Sequence, residues 1–296
     1  DVEFTLNGIY STMQSSDAYS GRLVYYGDVT GDDMQAVSST KRVANYYRFN
    51  FTKDDNPSSH WSYLYSIIQN CNLILMNIDK LVIDEDDKAY RDDLKGEALA
   101  IRGLALFDLT RIFGYPYLKD NGASLGVPII EGLSTIDSKP TRNTVAQCYT
   151  KIIDDLTQSL SLLGEKFNKG KINKWGAMVL LSRVYLYKGE NANALKMASD
   201  AIIGAEKNKY ALWTNEDYPT AWGEDASASK PGEVLFEIVN LTTDSPGKES
   251  MGYLNSYDGY DDMCITCSFY QFLKEDPKDI RLKLLSFDKK YYAYVN

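Results

Sequence analysis

The stretch Glu97–Tyr117, EALAIRGLALFDLTRIFGYPY, constrains this chain more than any other. At helical spacing Ala98, Ile101, Ala105, Leu109 and Ile112 share one stripe, with Leu104 and Phe107 beside it. An apolar face that wide needs partners on more than one side, so this helix is expected at the centre of the fold. Arg102, Asp108 and Arg111 interrupt the run, which makes it too polar and too short for a bilayer span. Gly114 stands where a helix stops, and Pro116 opposes continuation. On the residues alone, this is an amphipathic core helix with one buried ion pair.

Other helices can be read around it. Residues 3–14 predict a short helix with Phe4, Ile9 and Met13 inward. From Ser15 to His60 helical periodicity is lost, and the aromatic content of this irregular stretch argues against disorder. Residues 61–80 form a strong helix, with Trp61, Leu64, Tyr65, Ile68, Cys71, Leu75 and Ile78 at 3–4 spacing and Ser58 or Ser59 as cap. A buried Asn72 would need hydrogen-bond partners, such as backbone groups of the following segment. Asp84–Lys88 is a solvated charge run without the glycine and glutamate spacing of a calcium loop. A third long helix covers roughly 143–163, capped by Thr141 or Asn143, with Asp154 and Asp155 both exposed. Residues 172–188 and 191–206 make a fourth and a fifth helix, divided at Gly189.

The last two helices carry a repeat signal. With Gly189 at position 15 of a 34-residue helical hairpin, Leu181, Tyr185, Ala194 and Ala201 occupy positions that a tetratricopeptide-type repeat fills with large, aromatic, small and small residues. Ser182 is also suitably small, whereas Ala198 replaces the usual aromatic. The preceding helices could stack likewise, without a clear sequence repeat. Beyond Lys209 the chain is again irregular and rich in Trp and Tyr. EVLFEIV (233–239) alternates and predicts a short strand, Ser268–Glu275 a short helix, and DPKDIRLKLL another.

Composition narrows the chemistry. The net charge of −9 opposes a nucleic-acid backbone or an anionic membrane face as partner. The sequence has 23 Tyr against 10 Phe, which suits surfaces that present a flat apolar face with a polar tip. His60 is the one histidine and reads as a loop or cap residue, so a His-rich metal site is excluded and a histidine relay has no support. Cys71 and Cys148 sit in apolar helical patterns. Cys264 and Cys267 form a lone CxxC without a second pair or a nearby histidine, a poor zinc site and an unspecified disulfide. Among nucleophile-elbow, P-loop and dinucleotide motifs none occurs. Paired carboxylates for sugar cleavage are a spatial property that sequence does not reveal.

The central stretch resembles the signature helix of the SusD/RagB family of surface glycan-binding lipoproteins. Glu97, Arg102, Phe107, Asp108, Arg111, Gly114 and Pro116 carry that resemblance. In order along the chain it extends to Gly27-Asp28 and Asp32-Asp33, Trp61 with Tyr65, Cys71-Asn72, KINKWGAMVLLSRVYLY, EVLFEI, DPKDIRL and YVN. The family's lipid-attachment cysteine near the N-terminus is absent, as is the further helical repeat that would follow YVN. Loss of that repeat would leave an apolar helical face uncovered.

The resulting expectation is a mainly α protein. It is one domain over 1–296, with a tetratricopeptide-like scaffold at about 61–206, a few short strands, and loop-rich ligand-facing segments at about 15–60 and 209–263. Those two segments mix aromatic plates with polar edges, as sugar recognition requires, and the helices do not. The resemblance also implies a glycan site on loops outside the repeats. The candidate ligand-binding residues are Tyr46, Tyr47, Arg48, Asn50, Trp213, Trp222, Tyr253 and Tyr257. No catalytic residue, metal ligand or cofactor is expected. The resemblance implies a non-catalytic protein of the cell outer membrane, lipid-anchored as a precursor and surface-exposed. It would capture oligosaccharide for a SusC-like TonB-dependent transporter. The alternatives are a helical-repeat adaptor for a protein or peptide, and a hydrolase.

Overall fold

A computed structural model describes residues 2–52, 58–135, 137–222, 232–241, 243, 246–287 and 293–295. The helices are α1 Val2–Met13, α2 Arg22–Val29, α3 Ala44–Tyr47, α4 Ser58–Asn77, α5 Lys88–Phe113, α6 Val145–Leu160, α7 Lys174–Lys188, α8 Asn191–Lys207, α9 Tyr218–Ala221, α10 Met251–Asn255 and α11 Cys267–Lys274. The strands are β1 Met34–Ala36, β2 Met263–Ile265, β3 Leu285–Phe287 and β4 Ala293–Val295. β1 pairs antiparallel with β2, and β3 with β4. The chain forms two compact units. The first comprises Asp1–Thr12, Trp61–Leu212 and Ser227–Glu237; the second comprises Met13–His60, Trp213–Ala226 and Ile238–Asn296.

In the first unit α5 is the central element, as its apolar width predicts. Every residue from Gly96 to Thr110 is buried, polar ones included. α6 runs back along it, because Leu163, Leu156 and Tyr149 face Gly96, Gly103 and Phe107 in turn. The two glycines let the helices approach closely. A methyl group at Gly96 would stand 2.9 Å from Leu163 Cγ, and one at Gly103 would stand 3.1 Å from Leu156 Cγ. The polar interruptions of α5 are resolved by pairing. Arg102 and Asp155 form a buried ion pair, and Asp108 bonds Arg111 one turn on. Asn72 donates to the carbonyls of Ile130 and Gly132 at 2.8 and 2.9 Å, so its partners are backbone groups of the 129–132 segment.

α7 and α8 form the hairpin that the repeat pattern predicts. Leu181, Ala194 and Ala201 are buried where the repeat needs them, and Ser182 Oγ donates to the Ala194 carbonyl at 2.8 Å. Gly189 adopts φ +84° between the helices, the left-handed conformation that glycine takes most readily. Trp175, Met178, Ala201, Ala205 and Tyr210 make a local core. On the outward side Leu186, Leu195, Ile202 and Ile203 are more than half exposed.

Several expectations are corrected. Phe4 is 80% exposed while Ile9 and Met13 are buried, so α1 turns a narrower face inward. The Ser15–His60 stretch contains α2, β1 and α3, which tertiary packing of Tyr25, Val29 and Tyr46 stabilises without long periodicity. His60 is buried in the first turn of α4, its Nδ1 3.1 Å from the Asp17 carbonyl, and is not a loop residue. The cap of α6 is Thr144, not Thr141 or Asn143; Thr144 and Gln147 complete a reciprocal capping box. Asp155 is fully buried, whereas Asp154 is exposed as expected. Residues 233–239 form no strand. Leu235 and Phe236 pack on the helical unit, where no strand is present to pair with them among the described residues. DPKDIRLKLL yields a 3₁₀ turn at Ile280–Leu284 that leads into β3 rather than a full helix.

Candidate functional site

The candidate residues all lie in the second unit. Pairing of β1 with β2, with Gln35 opposite Cys264, joins the early irregular segment to the late one. Beneath that ladder Tyr25, Val29, Val43, Tyr46, Leu254 and Met263 form a shared core. Residues distant in sequence are thereby anchored on one apolar floor, beside which two of the unit's three aromatic groups stand.

The first group follows α3. Tyr46 itself belongs to the floor: it is 8% exposed and packs against Tyr26 at 5.6 Å and Phe51 at 5.8 Å between ring centroids. Tyr47, Arg48 and Asn50 are exposed. Phe49 takes φ +54° and is 65% exposed, and its ring meets Phe51 at 6.4 Å, nearly perpendicular. The sequence reading overlooked Phe49 and Phe51, although the aromatic run continues through both.

The second group surrounds α10, which Ser250 caps through the Tyr253 N–H. Tyr253 is half-buried and Tyr257 exposed. Tyr253 meets Tyr260 edge-on at 5.1 Å, and the Arg42 guanidinium lies 4.0 Å above the Tyr260 ring. Tyr260 and Arg42 were not selected from sequence. The repeat of Tyr at 257 and 260 across Asp-Gly was the available signal.

The third group is a three-ring cluster. Trp213 and Trp222 stand 5.1 Å apart at 77°, Tyr218 and Trp222 5.8 Å at 86°, and Trp213 and Tyr218 6.2 Å at 68°. A local turn sets this up. Thr214 Oγ1 donates to Asp217 Oδ2 at 2.8 Å and accepts from the Asp217 N–H at 3.1 Å, which starts α9 at Tyr218. Trp222 remains 59% exposed. Sequence reading found both tryptophans and missed Tyr218.

The cations beside Tyr260 are paired. Arg42 bridges Asp262 and Glu249, and Lys41 approaches Asp261. Burial pushes the Asp262 carboxyl up while Arg42 pulls it down, with burial the larger effect. Burial, and then Asp33, raise Asp28. Among the described residues no group of three or more His, Cys, Asp or Glu is placed to hold a metal ion. Cys264 is buried in β2 and Cys267 is exposed, and both are free thiols. The surface therefore offers aromatic faces held by their neighbours, with the cations Arg42 and Lys41 already paired beside them. Such faces pack against the C–H faces of a polyhydroxylated ring, while amides and hydroxyls serve its rim.

A family model described as SusD-like, starch-binding associating with outer membrane, matches residues 1–186. Among solved structures, one from Bacteroides vulgatus ATCC 8482 is 83% identical with a TM-score of 0.97; the match covers 100% of this chain and 66% of that one. A SusD-like protein of Bacteroides ovatus is 27% identical over 45% of this chain and 23% of its own length. A laminarin-binding SusD-like protein, 19% identical, shares the fold with a TM-score of 0.80 over 100% of this chain and 71% of that one. The mainly helical, tetratricopeptide-like fold is the one shared with these SusD-like neighbours. This chain belongs to the SusD-like family. It spans about a quarter of the curated relative and about two thirds of the solved one.

Proposed function

We propose that this chain is the carbohydrate-capturing part of a non-catalytic outer-membrane protein that hands oligosaccharides to a partner TonB-dependent transporter. The observation that carries this reading is the Trp213–Tyr218–Trp222 cluster, whose outermost ring is exposed and whose geometry is fixed by its own turn. Tyr47, Arg48, Asn50, Tyr253 and Tyr257 supply further plates and rim partners, with Tyr46 supporting them from beneath. The family description as starch-binding and associating with outer membrane supports the ligand class and the location. The laminarin-binding neighbour supports the ligand class. Surface exposure, a lipid anchor in the precursor and the SusC-like partner complete the proposal.

Affinity electrophoresis in gels containing neutral polysaccharides tests it. Retardation by at least one glucan, reduced in Trp222→Ala, is the expected result. Equal migration with and without every glycan tested would overturn the reading. An apolar groove of about 190 Å³ lined by Val179, Ala201, Ala205, Tyr210, Leu212 and Leu235 favours, as a second reading, a peptide adaptor. Retention of peptides without retention on any glycan would select that reading.

A further inference from the structure

Tyr260 is exposed, yet both its backbone and its ring are held by neighbours. We propose that Arg42 is a positioning residue that holds Tyr260 and Tyr253 as a second sugar platform, one that accepts an uncharged ring and rejects a uronate. This rests on the glycan-binding reading above.

Tyr260 is fixed from four directions. Its N–H donates to the Tyr253 carbonyl at 2.9 Å, and its own carbonyl accepts from Lys41 Nζ at 2.7 Å. The Tyr253 ring meets its edge, and the Arg42 guanidinium covers one face at 4.0 Å. Gly259 makes the close return possible, since a methyl group there would stand 2.0 Å from the Tyr253 carbonyl oxygen. The ring nevertheless stays 39% exposed. An aromatic face held still before the ligand arrives loses little side-chain entropy on binding.

Arg42 is anchored where it cannot easily swing. Its Nε and Nη2 both reach Asp262 Oδ2 at 3.0 Å, and the Asp262 side chain is only 5% exposed. Its Nη1 donates to both Glu249 oxygens at 3.1 and 3.2 Å. All three guanidinium nitrogens thus already reach a carboxylate. Lys41 Nζ lies 3.5 Å from Asp261. Lys41 and Arg42 are already engaged by Asp261, Asp262 and Glu249, three carboxylates on two cations, with Lys248 Nζ farther off, 5.9 Å from the Tyr253 ring centroid, so a further carboxylate would meet the excess negative charge of that cluster. A neutral ring carries no such penalty.

Titration calorimetry of the full-length protein with neutral gluco-oligosaccharides and with an oligogalacturonate decides the matter. Wild type is expected to bind a neutral oligosaccharide and not the oligogalacturonate. Tyr260→Ala should weaken neutral binding by about 3- to 10-fold, the worth of one aromatic stacking partner. Arg42→Lys, which keeps the charge but loses the planar fork, should weaken it similarly at temperatures where the fold is intact. Glu249→Gln, which leaves Arg42 Nη1 a weaker acceptor, should weaken neutral binding less than Arg42→Lys does and gain salt-sensitive oligogalacturonate binding. This change in selectivity is not expected of a merely structural arginine. Unchanged neutral affinity in Tyr260→Ala, or oligogalacturonate binding by wild type as tight as neutral binding, overturns the platform. If Trp222→Ala still weakens binding in that case, the function proposed above survives alone. No neutral binding by wild type overturns both.

Discussion

Arg102 donates from Nε and Nη2 to the two carboxylate oxygens of Asp155, at 2.8 and 2.7 Å, in the middle of the helical unit. Its remaining arm donates to Asn72 Oδ1 at 2.8 Å, and Lys151 Nζ stands 3.3 Å from Asp155 Oδ1. One guanidinium thereby couples α4, α5 and α6. Removing its carboxylate strands a buried charge. Asp155→Ala is expected to lose about 3–5 kcal/mol, read as a lower urea midpoint. The pair Arg102→Met with Asp155→Leu should recover most of that loss, because neither buried charge remains. A single variant as stable as wild type would refute the coupling.

A second buried carboxyl makes stability depend on pH. Tyr10 Oη donates to Glu97 Oε2 at 2.5 Å and accepts from the Ile172 N–H at 3.0 Å, joining α1 to α5. Burial pushes the Glu97 carboxyl up to about 7, against the hydrogen bond from Tyr10 and the charge of Lys171, with Asp93 and Glu3 adding to the rise. The folded chain therefore keeps a proton that the unfolded chain releases between its ordinary value of 4.5 and about 7. This contribution to stability is complete below pH 4.5 and is lost as pH rises through about 7. Melting temperatures across that window should fall with pH, and Glu97→Gln should flatten the fall.

Close approach of α8 to Trp175 depends on a missing side chain. A methyl group at Gly204 would stand 2.1 Å from Trp175 Cζ3, and the indole is itself part of a packed core. Helix propensity alone would make Gly204→Ala stabilising by about 1 kcal/mol. The clash should reverse the sign, giving a net loss of about 1–3 kcal/mol by calorimetry.

Neighbouring tyrosines should separate into two roles. Tyr46 is in the floor and Tyr47 is 38% exposed. Tyr46→Ala is expected to cost about 3 kcal/mol in stability. Tyr47→Ala should leave the unfolding midpoint within about 0.5 kcal/mol of wild type and reduce glycan retention. The reverse pattern would remove Tyr47 from the site.

What the sequence disclosed follows from how each residue is held. α5 to α8 were legible because long helices repeat one periodicity, and Ala194, Ala201 and Gly189 each answer a local steric demand. Asp155 was misread because its next-door Asp154 is exposed, and only the arrival of Arg102 from another helix tells the two apart. Residues 233–239 have the alternation of a strand, yet a strand exists only where another can bond to it. In the loop-rich unit composition located the aromatic segments. The partners of the tyrosines, Arg42 for Tyr260 above all, come from a segment more than two hundred residues away, and no local pattern announces that.

That distance also orders events in time. Gln35 and Cys264 are 229 positions apart, and most of the intervening chain lies between Ser58 and Lys207, the span that holds α4 to α8. On a ribosome the helical hairpins can finish while Met34–Ala36 still waits for its complement to be synthesised. Closure of that ladder is a long loop search and should be the slow, late step of maturation. Until it completes, the nascent protein exposes an unpaired β1 edge and the aromatic residues proposed to meet ligand. Its most aggregation-prone interval therefore falls just before the proposed binding surface is assembled.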